Sequence, residues 1–411
     1  MNMSFFVNQW IVASPLAIWY LSHMRLGIDL LLNERRGLID GKRLGLLAHA
    51  ASVDASGAHT LDRLASGSGA KVTALFGPEH GFATKAQDME SVETHTDPTT
   101  KLPIYSLYGR DIDSLKPMPE MLGGIDTLVV DLQDIGSRYY TYIWTAALCM
   151  EACADAKKGV IVCDRPNPIG GTLVEGTEIE QGFESFVGLF PIPNRHGMTV
   201  GEIVQLMNDQ GGMGVDLTVV PMEGWERGMS WPDTGLGWVN PSPNMRSYTA
   251  ALLYPGMCLI EATNLSEGRG TDTPFTVAGA PFVDTDDLMA AFDELCLPGV
   301  HAAPTSFIPT RQKWAGKLCH GLRFVVTDPV EFRPYLTGLA FVWLCHRMYN
   351  SQGFQWRNDP YEFVSTQPAI DLLTGSSTFR ESISNLSLEI IEQLAETPYE
   401  FLEMRKTALI Y

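Results

Sequence analysis

From Lys42 onward the apolar residues gather into short runs rich in Val, Leu and Ile: "RLGLLAHA", "VTALFG", "LPIYSLYG", "TLVVDLQD" and "GVIVCDRP". Helix-compatible stretches lie between several of them; "AHTLDRLAS" follows the first run and "YTYIWTAALCMEACADAKK" separates the fourth from the fifth. Strand, helix and strand in alternation predict an α/β fold with a largely parallel sheet. Runs that are apolar almost throughout predict a sheet covered on both faces. Residues 222–247 break the pattern, with Trp225, Trp231 and Trp238 set among Gly, Pro, Ser and Asn, the makeup of a long ordered loop. Near residue 285 a second alternation begins with "TDDLMAAFDELC", "GLRFVVTD" and "YLTGLAFVWLCHRMYN". The closing "NLSLEIIEQLAETPYEFLEMRKTALIY" has the three- and four-residue apolar spacing of a helix. The chain is thus expected to divide into an N-terminal extension (1–24), a larger α/β domain (25–285) and a smaller α/β domain (286–411). No period of roughly 20–50 residues recurs, which excludes a repeat array.

Composition narrows the function classes. Of 411 residues, 48 are acidic and 29 basic, a formal charge of -19, and no basic stripe is present to track a nucleic-acid backbone. The seven cysteines are scattered and form no C-x-x-C pair, which removes the zinc-knuckle and thioredoxin readings; buried thiols in a reducing compartment fit better. The first 24 residues are apolar but carry no Lys or Arg and are interrupted by Asn8 and Gln9. They read as an upstream extension or a poor targeting segment rather than a regular export signal or a membrane span, so a cytoplasmic protein without stable membrane insertion is expected, with a periplasmic or secreted one as the alternative.

In open α/β sheets, ligands bind beyond the carboxyl ends of the strands. There this chain sets His49 after the first run, Glu79 and His80 after the second, Asp131, Gln133, Asp134 and Arg138 after the fourth, and Asp164, Arg165 and Asn167 after the fifth. Dinucleotide, P-loop, serine-esterase and zincin motifs are absent. His80, His95 and His196 lack a diagnostic metal spacing, so no metal or cofactor is expected. What remains is carboxylate chemistry, in which one carboxyl donates a proton and a second stays ionised. In "ALFGPEHGF" the Gly-Pro corner ends an apolar run and sets Glu79 beside His80, and partial burial there suits a general acid. Trp225, Trp231 and Trp238 offer apolar faces for a sugar ring. The residues alone therefore indicate a hydrolase or a binder of a polar small molecule.

In order along Gly27 to Tyr411, the segments "GIDLLL", "LFGPEHGF", "DLQDIGSRYYTY", "DRPNPIGG", "PNRHGMTVGE", "PSPNM", "YPGMCLIEATNLSEGRGTDTPF", "GAPF", "GLRFVVTD" and "LLTGSSTFR" resemble the NamZ-type exo-β-N-acetylmuramidase family. The resemblance implies a Rossmann-like domain joined to a smaller C-terminal domain, with the active site in the cleft between them. It implies release of N-acetylmuramic acid from the non-reducing end of peptidoglycan-derived glycans or muropeptides. Glu79 becomes the general acid with His80 beside it, and Asp131 or Asp164 the second carboxylate, unless the substrate's acetamido group assists. Arg138, Arg165 and Arg269 are candidates for the muramyl lactate. Tyr139, Asn167, His196, Trp238 and Asn244 are further candidate substrate contacts, and Glu267 is either catalytic or a support for Arg269. Two departures stand out: the secreted members' export signal is not evident, and His49 replaces an asparagine common in relatives, which is expected to alter substrate fit. A non-catalytic muropeptide binder and a metal-dependent amide or ester hydrolase are the rival readings.

Overall fold

A computed structural model describes residues 24–411 apart from Ser68; the expectations for residues 1–23 lie outside the described residues. Seven strands form the main sheet: β1 (Arg43–Ala48), β2 (Lys71–Gly77), β3 (His95–Thr96), β4 (Pro103–Ser106), β5 (Thr127–Asp131), β6 (Gly159–Cys163) and β7 (Leu217–Val220), in the order β3-β4-β2-β1-β5-β6-β7. Only β3 runs antiparallel to its neighbour. Counting the parallel strands in chain order, the sheet reads third, second, first, fourth, fifth, sixth. This is the doubly wound Rossmann order, and it reverses between β1 and β5. The Rossmann-like expectation holds.

The strand sequences explain the layering. Side chains alternate faces along a strand, so Leu128 and Val130 of β5 enter one core while Val129 enters the other. One core is closed by the helix Gly27–Asn33 through Leu30 and Leu31, the other by the helix Tyr142–Asp155 through Ile143, Trp144 and Met150. This second core runs without a break into the C-terminal half, through Leu259, Phe324 and Phe341.

There β8 (Val277–Ala280), β9 (Val300–Phe307) and β10 (Cys319–Val326) form an antiparallel sheet in the order β8-β10-β9, beside the helices Thr285–Asp293 and Pro334–Tyr349. β8 precedes residue 286 in the chain yet pairs with β10 from Val277↔Arg323 to Ala280↔His320. The helix Tyr248–Met257 packs against Pro334–Tyr349 at two glycines: a Cβ on Gly256 would lie 2.0 Å from the Pro334 oxygen, and one on Gly338 would lie 2.3 Å from the Gly256 oxygen. Residues 222–247 are mostly irregular, interrupted by the short helix Trp231–Thr234. The predicted C-terminal helix is two, Leu388–Ala395 and Tyr399–Lys406, because Pro398 intervenes. No helix among the described residues is long and apolar enough to cross a membrane.

Candidate active site

β2 stops at Gly77 because the chain folds straight back on itself; a Cβ there would meet the Phe82 nitrogen at 2.5 Å. His80 takes a left-handed conformation (φ 69°) and its Nδ1 donates to the Ala86 carbonyl at 3.0 Å. Glu79, buried at 6% exposure, accepts from Thr141 Oγ1 at 2.8 Å, and the Met89 amide points at its other oxygen from 3.4 Å. Thr141 immediately precedes the helix Tyr142–Asp155. The corner and the helix start thus fix one carboxylate between them.

Glu79 and His80 line a narrow pocket with Tyr139, Tyr140, Tyr142, Asn244, Arg269 and Phe275, and with a second carboxyl group, Glu362. Glu362 sits on a tight turn closed by paired hydrogen bonds between Tyr361 and Val364, both 2.9 Å. Glu362 (φ 44°) and Phe363 (φ 67°) are both left-handed there, a backbone state that non-glycine residues adopt at a cost. Its Oε2 accepts from the Tyr108 hydroxyl at 3.0 Å. Burial, reinforced by the charge of Glu79, pushes the Glu362 carboxyl well above the usual carboxylate range.

Asp88, Glu261 and Arg269 border both this pocket and a wider cleft of about 670 Å³, a volume within the usual range for small-molecule sites. The Arg269 guanidinium lies 2.7 Å from Glu261, 3.3 Å from Glu267 and 3.4 Å from Asp88, above the Phe275 ring. Burial works against the Arg269 charge, but these three carboxylates outweigh it and hold its pKa above the ordinary arginine value. Lys313 spends its three donors on Glu267 and on the Ile260 and Leu265 carbonyls, each at 2.9 Å. Burial raises Glu261, while at Glu267 Lys313 and Arg269 overcome burial and lower it. Trp356 and Arg357 line the outer cleft. Arg357 lies over Tyr361 and donates to the Pro360 carbonyl at 3.3 Å.

The fold brings Glu79, His80, Tyr139, Asn244, Arg269 and Glu267 to these two adjoining spaces. The other candidates stand elsewhere. Asp131 ends β5 in a fully buried pair with Arg165, and Thr60 Oγ1 also donates to it. Asp164 ends β6 and accepts from Thr199 Oγ1 at 2.7 Å, the Gly201 amide at 2.8 Å and the Tyr411 hydroxyl at 2.8 Å. Arg138 is enclosed and donates to the carbonyls of Thr177, Ile192 and Leu373. Asn167 bridges Met198 and Ile169, and His196 is fully buried with its Nε2 3.6 Å from Asp134. Trp231 and Trp238 pack edge to face 5.2 Å apart, and Trp225 packs against Tyr411. His49 is enclosed, accepts from the Gln133 amide and lies 4.7 Å from the Tyr142 ring, so it touches the pocket only through that tyrosine. Among the described residues no group of three or more His, Cys, Asp or Glu side chains is arranged to hold a metal ion.

Sequence reasoning missed Glu362, Glu261, Asp88, Lys313 and Trp356. Glu261 lies inside the quoted "CLIEATN", so its motif was visible although its role was not. Glu362 lies in "DPYEF", where an acidic residue between two aromatics two positions after a proline is the sole signal.

A Rossmann-type sheet abutting a smaller antiparallel layer, with two buried carboxyl groups lining a pocket beside a wider cleft, defines an α/β protein with a concave, polar small-molecule site. The chain belongs to the NamZ family of exo-β-N-acetylmuramidases: the family's N-terminal profile matches residues 44–249 and its C-terminal profile residues 252–411. It is 43% identical over 387 residues to the peptidoglycan β-N-acetylmuramidase NamZ of Bacillus subtilis strain 168, covering 94% of this chain and 91% of the relative. Crystal structures of two DUF1343 family proteins of Bacteroides fragilis NCTC 9343 share the fold. One matches with a TM-score of 0.84 at 32% identity over 95% of this chain and 99% of its own; the other with 0.70 at 26% identity over 94% and 99%.

Proposed function

We propose that this protein is a glycoside hydrolase that releases N-acetylmuramic acid from the non-reducing end of peptidoglycan-derived glycans. The observation that carries the reading is the meeting of two buried carboxyl groups, Glu79 and Glu362, in a pocket adjoining a sugar-sized cleft, within a chain of this family. Such a pair is what glycosidic cleavage asks of a protein. Glu79 is the carboxylate the reaction requires, and Tyr139, His80 and Asn244 border the sugar beside it. For the anionic lactate, Arg357 is the guanidinium lining the cleft that no described carboxylate binds; Arg269 is engaged by Glu261, Glu267 and Asp88, and Arg138 and Arg165 by internal partners. The seven unpaired thiols suit a cytoplasmic compartment, which we carry as part of the proposal.

The test is release of nitrophenol from a β-N-acetylmuramic acid glycoside by wild type and by Glu79→Gln. The expected outcome is turnover by the first and a loss of ~10²-fold or more in the second. A wild type that binds the sugar without cleaving it makes the protein a binder.

A further inference from the structure

We infer that Glu362 is the proton-donating carboxyl of this site and that Glu79 serves as its ionised partner. The inference rests on the glycosidase reading above and reverses the expectation that Glu79 is the acid.

The hydrogen bonds separate the two groups. Glu79 has a donor at each oxygen, Thr141 Oγ1 at 2.8 Å and the Met89 amide at 3.4 Å, the surroundings of a carboxylate. Glu362 has one, the Tyr108 hydroxyl on Oε2, and no described residue bonds its Oε1. That is the pattern of a neutral carboxylic acid whose carbonyl oxygen is tied back and whose hydroxyl faces the cavity. Two buried carboxyl groups in one pocket do not both ionise readily; the groups that act most on Glu362 are Glu79, Tyr108, Glu261 and Asp88, with His80, Arg269 and Tyr361 lining the same pocket. Glu79, Glu261 and Asp88 are acidic, and Arg269 is bound to Glu261 and Asp88 rather than to Glu362. Burial and the Glu79 charge both raise the Glu362 carboxyl, the direction a proton donor needs. The left-handed turn at Glu362 and Phe363 fits the same role, since a strained backbone is retained where it aims a side chain.

In the step assigned here, Glu362 gives its proton to the glycosidic oxygen as the C1–O bond breaks and its electron pair leaves with that oxygen. Water adds to C1 and its proton passes to the Glu79 carboxylate. The products are the free sugar and a glycan one residue shorter. Solvent then carries the proton from Glu79 back to Glu362.

The experiment compares wild type, Glu362→Gln and Glu79→Gln on the natural β-linked disaccharide and on aryl β-N-acetylmuramic acid glycosides of graded phenol acidity. A missing acid matters only where the leaving oxygen needs its proton. Glu362→Gln is therefore expected to lose ~10²-fold or more on the disaccharide and little on the most acidic phenol, with the high-pH fall in kcat/KM abolished. Glu79→Gln is expected to lose about equally on all. Tyr108→Phe removes the hydrogen bond that favours the ionised form of Glu362 and should move the high-pH fall to higher pH; it serves as the second variant should Glu362→Gln fold poorly. Equal losses by Glu362→Gln across the series, or an unmoved pH profile in Tyr108→Phe, overturn the inference alone. A wild type that cleaves none of the glycosides overturns the reading beneath it as well.

Discussion

At the carboxyl ends of β5 and β6, and again beneath the loop that follows β2, the fold buries acidic side chains, and it treats the two groups in opposite ways. At the switch point of the sheet, where ligands enter most doubly wound proteins, Asp131 is taken up by Arg165 and Thr60, and Asp164 by Thr199, Gly201 and Tyr411. Both strand-ending carboxylates are taken up by the protein's own donors. Beneath the loop, Glu79 and Glu362 share a pocket with no guanidinium bonded to either. A carboxylate tied to a cation or to several donors has little left for a substrate, whereas Glu79 has one neutral donor on each oxygen and Glu362 a single donor in all among the described residues, so both keep lone pairs toward the cavity. Burial alone does not distinguish the two; the partners do.

Breaking the first region should cost structure and spare chemistry. Arg165→Met leaves Asp131 buried without its cation and is expected to destabilise the fold by about 3–5 kcal/mol, read as a fall in the urea midpoint, while turnover per folded molecule is kept. Breaking the second should do the reverse: Glu79→Gln loses ~10²-fold or more in turnover with no fall in the midpoint. Asp164 sharpens the contrast through pH. Burial lifts its pKa from 3.8 to about 6 despite its hydrogen bonds. A folded-state value above the unfolded one means that its contribution is complete below about pH 4 and is lost as pH rises through 6, at most about 3 kcal/mol. The stability advantage of wild type over Asp164→Asn should therefore shrink between pH 4 and 7. Trp238 marks the smallest effect. Its ring meets Trp231 edge to face and its Nε1 donates to the Met245 carbonyl, so Trp238→Ala should cost about 1 kcal/mol of stability and leave KM for a muramyl glycoside unchanged.

The same contrast explains what could be read from the chain. β1, β2, β5 and β6 were legible because each is a largely apolar run buried by the layers on either side, and the half-buried β4 because its apolar residues stand in the same kind of short run. β7 is a short edge strand, and β9 carries Pro304, which an edge strand tolerates and a central one does not; neither announces itself. β8 reads "VAGA", and its pairing depends on Gly279 and Gly321, where a Cβ would lie 2.1 Å from the His320 oxygen and 2.0 Å from the Ala278 oxygen. In the site, Glu79 and His80 were visible because a Gly-Pro corner ends a strand there. Asp131 and Asp164 looked equivalent to Glu79, since a sequence displays which acids end strands but not how many donors fold back onto them. Glu362 arrives from the far end of the chain on a turn with no recurring pattern, and only its nearness to Glu79 in three dimensions gives it meaning.

The glycine contact between the helices Tyr248–Met257 and Pro334–Tyr349 bears on how this cleft can evolve. The first of these helices leads directly into the turn that carries Glu261, and backbone touches backbone where they cross. Any side chain at Gly256 or Gly338, even a methyl, must wedge the helices apart and carry Glu261 away from Arg269. Adaptation to a larger or smaller sugar is thus barred from this hinge line and directed to the outer rim, where Trp356, Arg357 and their neighbours can be exchanged without moving the pocket behind them.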